Sequence, residues 1–231
     1  MKQTYLYTDP SDKLSLLVTS HPELLLTLSH FGIGLGVGDR SIAELCRDHD
    51  VDPRFFLLIC NVYTFDNYIP TAEVVRATPM SGLIPYLRRS HAYYLGKRLP
   101  HIGRHLEKIA ALLPERAAGA IRRFFTTYID EVTEHFAHEE NVVFPHIEAL
   151  EAGGGDAYSM KDFIAHHGNL EDSLNDLVQI IFKYLPAGAT GDDAIDMIFD
   201  ILEVRRDLHK HSLIEEKILV PYVLNLEKRK K

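Results

Sequence analysis

Two stretches of the chain repeat one pattern of histidine, glutamate and proline. Both read as histidine, three residues, two glutamates, four residues and proline, in EHFAHEENVVFP at 134–145 and KHSLIEEKILVP at 210–221. Residues four apart lie on the same face of a helix. His135 and Glu139 would therefore direct an imidazole and a carboxylate to one side. His211 and Glu215 would do the same in the second copy.

The repetition favours a metal site over a surface interaction. A single histidine and carboxylate pair of this kind is usually exposed, but burying two carboxylates with several imidazoles requires strong compensation, which a dinuclear metal centre provides. Glu140 and Glu216 follow the proposed ligands in both copies. They could accept hydrogen bonds from groups around the ligands, but a solvated face is the favoured interpretation. Pro145 and Pro221 each free a carbonyl near a carboxylate and should bend their helices there.

Four long stretches of helical periodicity follow residue 82 and must position these groups. Helix breakers separate them at Pro114, at Gly153–Gly155 and in PAGATG at 186–191. Four long helices with short connections predict an all-α fold with an up-down four-helix bundle. The predicted bundle covers 81–231.

The histidines fall at one height in this bundle. His91 lies 23 residues before Pro114 and His135 lies 21 residues after it. Counts from the two later breakers bring His167 level with the second and fourth helices in the same way. At about 1.5 Å per residue, a mismatch of two residues is roughly 3 Å. One layer is therefore predicted to contain six metal ligands: His91, His135, Glu139, His167, His211 and Glu215.

Four imidazoles and two carboxylates suit two transition-metal ions bridged by the carboxylates, with open coordination positions. The donors are nitrogen and oxygen without thiolate, which fits iron and tolerates manganese or zinc. Among the competing histidines, His166 is the alternative to His167. Tyr94 is near enough in sequence to His91 to reach the site, although core packing is the favoured interpretation. We expect the others outside the ligand set: His138, His209, His101 and His105.

Composition limits the partners. With 231 residues, 46% of them hydrophobic, the chain can bury one sizeable core and a second small one. The net charge of −8 leaves no broad cationic surface for nucleic acid or anionic membranes. No segment resembles a signal peptide or a membrane span, so we expect a cytoplasmic protein. Cys46 and Cys60 lie in apolar-periodic segments and are predicted to be reduced and buried.

Residues 1–67 predict a separate small helical domain, joined to the bundle by a linker at 68–80. Ser41 can cap a helix with Glu44 as its capping-box partner, and Pro53 suits the first position of another helix. Two short helices joined by a turn suggest a DNA-binding helix-turn-helix. Residues 1–75 carry five basic and ten acidic residues, however, and that balance would repel phosphates.

From about residue 80 to its end the chain resembles a hemerythrin-like (HHE) cation-binding domain, through the order His, His-x-x-x-Glu, His, His-x-x-x-Glu. The N-terminal part resembles the short ScdA-like domain that precedes it in di-iron proteins for repair of iron–sulfur clusters, the ScdA/RIC group. That likeness lies in HPELLLTLSHFGIGLGVGDRSIAELCRDHDVDP at 21–53. The family's glycine-rich turn usually carries an adjacent Cys-Cys pair, whereas this chain has Leu35 and Val37 and no thiol there.

The resemblance implies two iron ions per chain, bridged by carboxylates and by an oxo group. It implies a protein that restores iron–sulfur clusters damaged by oxidants or nitric oxide, by donating iron to the damaged proteins. A second interpretation is a sensor that binds dioxygen or nitric oxide and signals through its N-terminal domain, and the missing Cys-Cys pair shifts weight toward it. An oxidase or peroxidase-type enzyme ranks third. A homodimer is left open.

Overall fold

The computed structural model describes residues 6–154, 158–166, 168, 170–185 and 191–229. This part of the chain contains helices and no strand, which confirms the predicted all-α class. Its one extended pairing is an isolated antiparallel bridge between Lys13 and Ser41. No helix within the described ranges combines the length and the apolar character needed to cross a membrane.

Short helices occupy the N-terminal part: α1 Leu14–Ser20, α2 Leu24–Phe31, α3 Ile42–Asp48, α4 Pro53–Thr64 and α5 Ala72–Ala77. The predicted capping box begins α3, because the Ser41 hydroxyl accepts from the backbone N–H of Glu44 and the Glu44 carboxylate accepts from that of Ser41. Asp52 caps α4, with Pro53 at the first helical position as predicted. These local signals therefore fix where both helices start.

The four long stretches contain the remaining helices. The first is α6 Leu83–Tyr93 and α7 Leu99–Ala110; the second is α8 Glu115–His138 and α9 Phe144–Glu151; the third is α10 Met160–His166 and α11 Glu171–Tyr184; the fourth is α12 Asp192–Ile214 and α13 Val220–Arg229. A π-helical turn joins the two parts of the first, second and fourth stretches, at Tyr94–Arg98, Glu139–Val143 and Glu215–Leu219.

Each π-helical turn is followed, two residues after its end, by a proline: Pro100, Pro145 and Pro221. The residue before each proline donates its backbone N–H to the carbonyl five residues back, from Leu99 to Tyr94, Phe144 to Glu139 and Val220 to Glu215. Proline has no N–H and its ring crowds the carbonyl four residues back, so a wider turn relieves the clash. The helix distortions predicted near Pro145 and Pro221 are therefore π-helical turns. The π-helical turn before Pro100 in the first stretch was not predicted.

One hydrophobic core is shared by all four stretches. It lies in the compact unit formed by 91–148 and 156–212, and each stretch contributes fully or nearly buried side chains to it, for example Leu106, Phe125, Leu177 and Met197. Four helices around one core make the predicted hemerythrin-like bundle.

Ion pairs show that neighbouring helices in this unit run antiparallel. Arg98 pairs with Asp200, and Lys108, further along α7, pairs with Asp193, which is earlier on α12. Arg122 on α8 pairs with Glu107 near the end of α7. Partners that advance along one helix and retreat along the other require opposite directions, which is the predicted up-down order.

The other compact unit comprises 1–90, 149–155 and 213–231. Its core contains aromatic rings from α2, α4 and α6: the Phe31 ring centroid lies 4.9 Å from that of Phe56 and 4.8 Å from that of Tyr86. The N-terminal helices therefore share a core with the first residues of α6. The functional domain boundaries at 67 and 80 stay a prediction.

Candidate metal centre

Four of the predicted ligands form a buried cluster. His91 lies near the end of α6, Glu139 begins the π-helical turn after α8, and His211 lies near the end of α12. Glu215 follows His211 by one turn of the same helix and begins the next π-helical turn. One ligand atom of each lies within 4.8 Å of the others, and none of the four residues is more than 3% exposed.

His91 makes the shortest contacts with the other residues of this cluster. Its Nε2 lies 3.1 Å from Oε2 of Glu139 and 3.3 Å from Nε2 of His211. Ligands bound to one metal at about 2.0–2.2 Å are separated by roughly 3 Å from their neighbours. The three atoms therefore have the spacing of ligands that share a metal ion.

Glu140 orients the His91 ring. Its Oε1 lies 3.0 Å from Nδ1 of His91, and a carboxylate only accepts, so Nδ1 carries the proton and Nε2 keeps its lone pair for a metal. Glu140 is 32% exposed, so it faces solvent only in part and also accepts from His91. Successive helical residues point about 100° apart, and the direction of Glu140 meets α6. Glu216, expected on a solvated face as well, is 52% exposed beside Lys217.

His135 extends the cluster through Glu139. Its Nε2 lies 3.3 Å from Oε1 of Glu139, one turn further along the helix, as the i, i+4 spacing predicted. Glu139 therefore presents one oxygen to His135 and the other to His91. Each oxygen of Glu139 therefore has an imidazole nitrogen near enough to bind the same metal ion.

The other histidines considered for this site lie either outside the described residues or at the surface. The predicted ligand His167 lies outside the described residues, and so does the side chain of its alternative, His166. His138 is exposed, with its Nε2 3.4 Å from the hydroxyl of Tyr158, and His209 is exposed too. The exposed side chains of His138 and His209 lie at the surface, as expected from the sequence.

Aromatic rings enclose His91. Phe136 stacks on its imidazole at a centroid distance of 4.0 Å, and Phe144 lies parallel at 5.5 Å. Tyr94 belongs to the hydrophobic core, as favoured from the sequence, and its ring centroid is also 5.7 Å from that of His211. The two phenylalanines were not predicted. The sequence points to them only through their positions: Phe136 follows His135 directly, and Phe144 directly precedes Pro145.

The donor atoms of the cluster fit a cation. Neither carboxylate oxygen of Glu139 accepts a hydrogen bond from the described residues, although imidazole nitrogens lie 3.1 and 3.3 Å away. An uncompensated buried carboxylate costs several kcal/mol, and a metal between it and the imidazoles would supply the compensation. Imidazole and carboxylate without thiolate suit iron, manganese or zinc.

Comparison with known families gives one match. The model of the hemerythrin HHE cation binding domain matches residues 97–223, more than half of the chain. The matched range includes His135, Glu139, His211 and Glu215 and begins six residues after His91. No curated protein matches this chain.

Proposed function

Because the chain belongs to the family of hemerythrin HHE cation binding domains, we propose that it is a di-iron protein that restores iron–sulfur centres under oxidative or nitrosative stress. Family membership and the buried histidine and glutamate cluster make it a metal-binding protein. The stoichiometry of two irons, the repair role and the donation of iron are the proposed part.

The proposal depends mainly on the arrangement of Glu139 between two imidazoles. In this role Glu139 and Glu215 would be the carboxylate ligands, and His91, His135 and His211 would be the nitrogen ligands. His167 is proposed as a further ligand by its position in the sequence alone. Bound iron would supply Lewis acidity, electron transfer and open positions for a small ligand such as dioxygen or nitric oxide.

The surrounding residues have supporting roles. Glu140 keeps the proton on Nδ1 of His91, so that Nε2 stays available as a ligand. Phe136 and Phe144 cover the imidazole with apolar rings and keep water away from it. Glu140 is 32% exposed and therefore connects the buried ring with solvent.

A sensor of dioxygen or nitric oxide is the second candidate, favoured by the state of the thiols. The glycine-rich turn carries Leu35, which is 84% exposed, where the repair proteins usually carry cysteine. Both cysteines, Cys46 and Cys60, are buried elsewhere, and desolvation raises the pKa of Cys46 to about 12. The described part of this protein therefore has no reactive thiol for a repair step that requires one. Binding of dioxygen or nitric oxide at the metal requires no thiol.

The metal content of anaerobically purified protein tests the di-iron proposal. We expect about two irons per chain, and near-ultraviolet bands that appear when dioxygen oxidises the iron on exposure to air and that are absent in Glu139→Gln and Glu215→Gln. Glu216→Gln, an exposed neighbour, is the matched control and should keep both irons. Absence of stoichiometric metal after reconstitution with ferrous iron would contradict the proposal.

A second measurement separates repair from sensing. Iron-loaded protein is mixed with an iron–sulfur protein that has lost its cluster, with sulfide and reductant supplied. Transfer of iron with recovery of the cluster supports repair. Iron that stays bound while nitric oxide or dioxygen binds reversibly supports sensing.

A further inference from the structure

A second group of metal-ligand side chains lies on the outside of the bundle. It consists of His101 and His105, one turn apart on α7, and Asp200 on the antiparallel α12. All three are partly exposed, and one ligand atom of each lies within 4.8 Å of the others. His101 follows His91 by ten residues, which is about 15 Å along the helix, so this cluster is separate from the buried centre.

The two imidazoles converge on one oxygen. Nε2 of His101 lies 3.0 Å and Nε2 of His105 lies 4.0 Å from Oδ2 of Asp200. In a tetrahedral site with bonds of about 2.0–2.1 Å, ligand atoms are about 3.3 Å apart. The observed separations lie on either side of this value, so small rotations of the side chains would place one ion between the three atoms.

Neighbouring charges hold the third ligand in place and leave its inner oxygen to the imidazoles. Arg98 pairs with Oδ1 of Asp200 at 3.4 Å, which leaves Oδ2 facing the two histidines. Asp193 lies 3.4 Å from Nδ1 of His105 and is also bound to Lys108. This contact is one of charge and not a hydrogen bond, and the negative carboxylate favours a proton on Nδ1 of His105. Nε2, which faces Asp200, is then the ligand atom.

The guanidinium group of Arg104 competes with a metal ion for His101. Arg104 donates to Nδ1 of His101 at 3.0 Å, so in the absence of metal the His101 proton sits on Nε2 and faces Asp200. Metal at Nε2 would need the proton on Nδ1 instead, and would therefore displace Arg104. Arg104 is exposed and can move into solvent without loss of core packing.

We propose that His101, His105 and Asp200 form a second binding site for a divalent transition-metal ion, with zinc as the representative. Two imidazoles and one carboxylate are a ligand set that zinc accepts, and partial exposure leaves a coordination position for water or an exchanging ligand. The site would give the protein a metal-binding capacity independent of the buried cluster. It does not depend on the proposed repair or sensing function.

Zinc binding to the full chain tests the site, measured by equilibrium dialysis against buffered free zinc. His211→Ala disables the buried cluster, and we expect this variant to keep one zinc equivalent. Adding His105→Ala, His101→Ala or Asp200→Asn to that background should weaken the remaining equivalent by at least about tenfold. Asp200→Asn keeps the shape of the side chain, so its result does not depend on a change in packing.

Two further variants complete the design. His49→Ala, an exposed histidine outside the cluster, is the matched control and should leave zinc binding unchanged. Arg104→Ala should strengthen binding, because it removes the competing donor and one positive charge. Equal zinc binding by His105→Ala and His49→Ala, or loss of all zinc binding in His211→Ala alone, would overturn the proposal.

Discussion

His91 has different partners at its two ring nitrogens, and this division decides what the ring can do. Nδ1 faces Glu140, while Nε2 faces Glu139 and His211. The four residues that form the buried cluster could be picked out from the sequence because spacing and height depend on helix geometry, whereas the ligand role of His167 stays a prediction. A hydrogen-bonding role for Glu140 could be raised only as an alternative to a solvated face, without naming His91 as its partner. The partner depends on how far the helix is rotated toward α6, which no spacing within one helix reveals.

Glu140→Ala should weaken iron binding by about 10- to 100-fold, because the His91 ring loses the acceptor that fixes its tautomer. The dissociation constant can be measured by competition with a chelator of known affinity. Glu216→Ala occupies the equivalent position in the second copy of the motif without a histidine partner. A similar loss in both variants would mean that charge near the site, rather than orientation of His91, controls affinity.

The thiols should be unreactive in the folded protein. Desolvation raises the pKa of Cys46 to about 12 and holds the pKa of Cys60 well above its usual value, so the reactive thiolate is much scarcer at pH 8 than for a free cysteine. We expect iodoacetamide to modify neither cysteine at pH 8 in native buffer and both in denaturant, as counted by mass spectrometry. Modification of either thiol in the native protein within minutes would show that its burial is transient.

At the scale of the elements, prolines and wide helical turns mark the two carboxylate positions. Helix periodicity predicted the long stretches and capping chemistry predicted the start of α3. The π-helical turns were not predicted, because the periodic pattern passes through them and only a backbone bond to the fifth preceding residue defines them. The turn at Tyr94–Arg98 begins with tyrosine where the other two begin with glutamate.

Pro145→Ala should weaken iron binding by about tenfold while helix content stays unchanged. Alanine restores a backbone donor, so the turn can narrow to an α-helix and rotate Glu139 relative to the residues that follow. Circular dichroism and chelator competition measure the two quantities. Pro100→Ala makes the same change in the turn that begins at Tyr94. An equal effect there would point to general loss of helix stability.

At the scale of the whole molecule, a buried metal site lowers the stability of the metal-free fold, because it places charged ligands in the interior. The apolar core could be predicted as a shared bundle interior. The stacking of Phe136 and Phe144 on His91 could not, because it depends on the rotation of each helix about its own axis. The burial of the Glu139 carboxylate is costly unless a cation compensates for it.

Glu139→Gln should make the metal-free protein more stable than the metal-free wild type, by on the order of 1 kcal/mol, because a buried charge is removed. Iron should raise the melting temperature of the wild type, since a ligand that binds only the folded state stabilises it. It should have a much smaller effect on the variant. Thermal unfolding of the wild type and of the variant, each with and without ferrous iron, gives the four melting temperatures to compare. A metal-free variant less stable than the metal-free wild type would mean that Glu139 has a packing role.

The pairing of His91 with His211 joins positions 120 residues apart in the chain. While the polypeptide is being synthesised, the first of these imidazoles is made long before its partner. No partial chain that ends before α12 can assemble the pair. A metal ion that binds both imidazoles can therefore be held only after His211 has been synthesised and lies beside His91.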